Sequence, residues 1–96
     1  MVIGVLQVEM VITHAQSLKD KRRVVSSLKD RLHREHLVAV AEVDKLDAHQ
    51  VAVLGIVTVS NSAAHAQGTL SRIVDGLRNE RDSILGSQQI EILNGR

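Results

Sequence analysis

An α+β sandwich, four antiparallel strands with two helices on one face, is the fold class this sequence predicts. Three observations predict it: four aliphatic runs rich in β-branched residues, two stretches with apolar residues at helical spacing, and their order, strand, helix, strand, strand, helix, strand. Ninety-six residues make a single domain, 1–96, large enough for a modest core and too small for two.

Val2 to Ile12 reads as the first strand. Gly4, Leu6, Val8 and Met10 fall on one face, and Ile3, Val5, Gln7, Glu9 and Val11 on the other. After His14 to Gln16, Ser17 is placed to cap a helix, with Asp20 at the third helical position in a capping-box-like spacing. Leu18, Val25, Leu28 and Leu32 form the apolar stripe, and the helix is expected to end near Glu35 or His36. Leu37 to Asp44 is the second strand and KLDAHQ a loop. Val51 to Ser60 is the third and most apolar strand, suited to the middle of a sheet. Ser60, Asn61 or Ser62 can cap a second helix that carries Ala63, Ala66, Leu70, Ile73, Val74 and Leu77 on one face; Gln88 to Leu93 is the last strand. Right-handed crossovers then give the split β-α-β, ferredoxin-like arrangement.

If Gly4, Leu6, Val8 and Met10 face the helices, the expected bare side of the sheet shows Ile3, Val5, Val11, Val38, Val40, Leu54 and Ile56. So large an aliphatic surface implies self-association, a homodimer formed through that face.

Composition excludes several chemistries. With no cysteine there are no disulfides, thiol nucleophiles or thiolate metal sites, and a reducing cytoplasm is the expected compartment. Gln7 and Glu9 interrupt the first apolar run, which reads as neither a signal peptide nor a membrane span. The absence of Phe, Tyr and Trp removes ring stacking on bases.

The net charge of +1 is unevenly spread. Residues 19–35 hold seven basic and three acidic side chains, a net of +4, which leaves −3 for the rest. Lys19, Lys21, Arg22, Arg23 and Arg34 are therefore the anion-binding candidates, with RNA phosphate as the expected ligand and the helix N-terminus adding its dipole. Five histidines show no metal-ligand spacing, so neither a metal nor a cofactor is expected. Asp44, Asp47 and His49 are conceivable acid–base groups for a hydrolase or transferase, but no nucleophile elbow or glycine-rich phosphate loop accompanies them. No catalytic residue is assigned. Asp44 and Asp47 also suit simple turn-forming roles.

The run SLKDKRRVVSSLKDRL, followed by VAVAEVDKLDAHQVAVLGIVTVSNSAAHA, resembles the YlxP-like family of small uncharacterised bacterial proteins. The matching positions are Ser17, Leu18, Lys19, Lys21, Arg22, Arg23, Glu42, Asp44, Asp47, Gln50, Ser60 and Asn61. The resemblance implies a ferredoxin-like fold, a bacterial cytoplasmic protein and no established activity. It also implies gene neighbours concerned with translation initiation and ribosome maturation, hence RNA or a ribosomal particle as partner. The family usually carries an aromatic residue where this chain has His49, and commonly Arg where it has Val51.

Two readings compete on these grounds. One is a non-enzymatic interaction module that touches RNA through the basic helix. The other is a homo-oligomeric small-molecule-sensing or assembly domain that works through the open sheet face.

Overall fold

The computed structural model describes residues 1–95. Its elements run β1 (Val2–Val11), α1 (Leu18–Glu35), β2 (Ala39–Asp44), β3 (Val51–Ser60), α2 (Ala63–Leu77) and β4 (Ile84–Asn94). The strands form one antiparallel sheet in the order β2-β3-β1-β4. Helix α1 lies over β2 and β3, and α2 over β1, β4 and β3. This is the expected ferredoxin-like α+β sandwich.

Alternation in β1 is faithful: Val2, Gly4, Leu6, Val8 and Met10 are buried, and every residue between them is more exposed. The core gathers Leu6, Val8, Met10, Leu54 and Ile56 from the sheet against Val25, Leu28, Leu32, Leu70, Ile73 and Leu77 from the helices. Gly4 permits the close approach of α2. A methyl group there would stand 3.0 Å from both Leu70 Cδ1 and Thr58 Cγ2, and 3.4 Å from Ala66 Cβ.

Ser17 caps α1 as expected, its hydroxyl accepting from Asp20 N at 3.1 Å. Asp20 reaches back further than a capping box requires, its carboxylate accepting from Gln16 N at 3.0 Å. Of the three residues offered as caps for α2, Ser62 is the one used: its hydroxyl accepts from His65 N, while Ser60 Oγ accepts from Ser62 N.

Two strands differ from expectation. β2 begins at Ala39 because Leu37 and Val38 are still leaving the helix, and Leu37 stands almost fully in solvent. β4 begins at Ile84, four residues earlier than the alternation suggests. Between Val8↔Gln88 and Met10↔Leu85 it carries one residue more than β1 does, so the period-2 pattern breaks at Gly86–Ser87. A second irregularity places an extra residue, Val43, in β2 opposite β3.

The sheet faces are sorted differently from expectation. Val40, Leu54 and Ile56 point to the helices and are buried, and Val38 packs against the same core. Pairing requires this. Leu54 lies opposite Val8, and Ile56 opposite both Leu6 and Val40; paired residues share a face. The bare side instead shows Ile3 and Val5, half-buried, with Ala39, Ala41, Val57, Val59 and Leu93.

Enlarging Gly4 to valine forces these neighbours apart. Chemical denaturation of Gly4→Val should show a loss of about 1–3 kcal/mol. Ser17→Ala, which leaves Asp20 N uncapped, should lose about 1 kcal/mol.

Candidate functional site

The basic segment divides into an inward residue and an outward set. On a helix turning 100° per residue, Lys21 falls on the stripe of Val25, Leu28 and Leu32, all four being buried. Lys21 is 1% exposed. Its ammonium donates to the carbonyls of Lys45 (3.1 Å), Leu46 (3.2 Å) and Val51 (3.2 Å), and its Nζ lies 2.7 Å from Glu42 Oε2. An ammonium has three protons, and three carbonyls take them. Glu42 Oε2 has no aligned donor, so it acts mainly as a neutralising charge. Lys21 is therefore removed from the anion-binding set. Its job is to tie α1 to both ends of the β2–β3 loop. The signal in the sequence was its position four residues before Val25 on the apolar stripe.

Lys19, Arg22, Arg23 and Arg34 are exposed as expected. Lys29, partly exposed, joins them. None of the five makes an ion pair among the described residues, whereas Arg31, Lys45 and Arg78 pair with Glu80, Glu9 and Asp75. The Glu80 carboxylate, by accepting a hydrogen bond, also raises the pKa of the Arg31 guanidinium, against the opposing effect of burial. From Lys19 to Arg34 the helix rises about 22 Å. Asp30 is the exposed acid within this surface. The N-terminal turn of α1 already holds the Asp20 carboxylate, so the unpaired cations lie along the flank of the helix and not at its tip.

The loop residues have separate roles. Asp44 Oδ1 accepts from Lys45 N at 2.7 Å and helps set the turn in which Lys45 takes a φ of 52°. Gln50 donates from Nε2 to the carbonyls of Thr13 (3.1 Å) and Ala15 (3.3 Å), and its own carbonyl accepts from Ile12 N. It fastens the loop to the β1–α1 connection. Asp47 and His49 are exposed and line a shallow depression with Ala15, Gln16 and Gln50. Asp44 faces a different cleft, of about 260 Å³, lined by Gln7, Glu9, Lys45, Ser87 and Gln89. Ser60 and Asn61 lie at the far end of β3, about 30 Å away at 3.3 Å per residue. The residues considered for acid–base chemistry thus do not converge. No group of three or more His, Asp or Glu side chains converges on a metal-sized site among the described residues. No helix is long and apolar enough to cross a membrane among the described residues.

Comparison with known proteins gives a family but no activity. The family model described as "Protein of unknown function (DUF503)" matches residues 3–90. The uncharacterized protein YlxP of Bacillus subtilis (strain 168) is 32% identical over 72 residues, covering 75% of this chain and 78% of that protein.

Inward and outward cations should respond differently to removal. Lys21→Met strands Glu42 and three carbonyls, and denaturant titration should show a loss of about 3–5 kcal/mol. Arg22→Ala or Arg23→Ala should stay within about 0.5 kcal/mol of the parent.

Proposed function

The chain belongs to the DUF503 family of proteins of unknown function, and from its own geometry we propose that it is a non-enzymatic cytoplasmic module that docks the phosphate backbone of RNA, free or in a ribosomal particle, along α1. The observation that carries this reading is the row of five unpaired cations, Lys19, Arg22, Arg23, Lys29 and Arg34, on one helix of a molecule whose net charge is only +1. Of the other exposed or half-exposed basic side chains, Arg31, Lys45 and Arg78 sit against a carboxylate, whereas Arg72 and Arg81 are unpaired among the described residues but lie apart from one another, off α1. Surface cations without internal partners are free to replace the counterions condensed on a polyanion.

The surface suits backbone contact better than base reading. No aromatic ring is available to stack on an unpaired base, so affinity comes from charge and from the fork geometry of arginine. The competing expectation, a sensing or assembly domain working through the open sheet face, has less support. Of the seven residues named for that face, Val38, Val40, Leu54 and Ile56 point the other way, and only Ile3, Val5 and Val11 remain.

Fluorescence anisotropy with a structured RNA at several salt concentrations tests the proposal. Affinity should fall steeply with salt, and Arg22→Ala/Arg23→Ala should weaken binding while reducing the slope of log K against log salt by about 2. Binding that ignores both salt and this substitution would remove α1 from the interface.

A further inference from the structure

We propose that β4 is a docking edge for a second copy of this chain, the two β4 strands pairing antiparallel about a two-fold axis at Ile90 to form one continuous eight-stranded sheet. This proposal is independent of the role of α1. It rests on three features of the edge.

The first is the direction of its free backbone groups. Met1 and Gly95 exchange both hydrogen bonds, Gly95 N to Met1 O at 2.7 Å and Met1 N to Gly95 O at 3.3 Å. Along a regular antiparallel strand the bonded residues alternate. Leu93, Glu91 and Gln89 therefore bond to β1, while Asn94, Ile92, Ile90 and Gln88 turn their N–H and C=O groups outward. The register with β1 is unbroken from Gln88 to Asn94, so these groups form an uninterrupted row.

The second is lack of protection. Edge strands ordinarily carry lysine, proline or a short, kinked course to prevent pairing. From Gln88 to Asn94, β4 has no proline, no basic residue and one charge, Glu91. The opposite edge, β2, is six residues long and is disrupted by its extra residue at Val43.

The third is that the strand is complementary to its own copy once its single charge is kept from meeting itself, which constrains the register. An axis at Glu91 would set two carboxylates directly opposite each other, which is repulsive. An axis at Ile90 sets Glu91 opposite the partner's Gln89, an amide that can donate to it. It also pairs Ile90 with its own copy on the helix side. Gln88 meets the partner's Ile92, and the outward groups of 88, 90 and 92 are all satisfied by about six main-chain hydrogen bonds. Ile90 and Ile92, now half-buried beside the core, would be covered further.

Sedimentation velocity on the full chain across the micromolar range, combined with single-cysteine crosslinking, tests this. The chain has no cysteine of its own, so each introduced thiol reports alone. Wild type should be a dimer. Ile90→Cys should crosslink on mild oxidation, because Cα atoms of a hydrogen-bonded antiparallel pair lie about 5.5 Å apart, within disulfide reach. Val59→Cys, on the bare sheet face, should not crosslink. Gln88→Pro removes an outward N–H without touching the β1 ladder, and should give a monomer with an unchanged circular dichroism spectrum. Should that variant not fold, Gln89→Glu serves instead: it sets a carboxylate opposite the partner's Glu91 and should weaken the dimer about fivefold. A monomeric wild type overturns the proposal. So does a dimer that crosslinks through Val59→Cys instead of Ile90→Cys, or one indifferent to both Gln88→Pro and Gln89→Glu.

Discussion

One buried ammonium organises this molecule. Lys21 enters the interior from α1 and is held by three carbonyls at the two ends of the β2–β3 loop, with Glu42 of β2 neutralising its charge. A lysine is costly to bury unless each of its protons finds an acceptor, and here each does. The bond set fixes three things together: the rotation of α1 about its axis, the path of the loop, and the position of β2 beside β3. The outward placement of Arg22 and Arg23 follows directly, since turning Lys21 inward leaves its two C-terminal neighbours on the helix flank. Gln50 extends the same scaffold to the β1–α1 connection.

Many of the residues that suggested a family resemblance belong to this framework. Ser17, Lys21, Glu42, Asp44 and Gln50 each cap, pair or fasten something at the end of the sheet where α1 begins. Their chemistry is structural, although each is a polar residue of a kind that also serves in binding sites. The basic side chains on the flank of α1 are different ones, and they bond to nothing internal.

The order of elements was legible in the sequence because each level of pattern agreed with the next: strand alternation in β1, a helical stripe behind a serine cap, and a second stripe behind Ser62. Facing was not legible in β2 and β3, for a definite reason. β3 is aliphatic on both sides, so alternation there carries no sign. In β2, Glu42 shares a face with Val38 and Val40, and a carboxylate ordinarily marks the solvent side. It points inward because Lys21 waits there, itself misread as a surface cation. A single buried ion pair thus obscured both the helix and the strand. Gly86, where β4 takes its extra residue, similarly hid the first third of that strand.

The extra residue at Val43 has a consequence for how the molecule can grow. Its side chain folds back over Gly55, where an added methyl would meet Val43 Cγ1 at 3.0 Å, and the rim of the sheet on that side is kinked and brief. A sheet with two straight margins can recruit copies without limit, as fibres do. This one has a single long regular stretch of edge, Gln88 to Asn94, so if two molecules join there it is consumed and only blunted ends face outward. Any assembly built by strand addition is therefore finite, stopping at a closed pair.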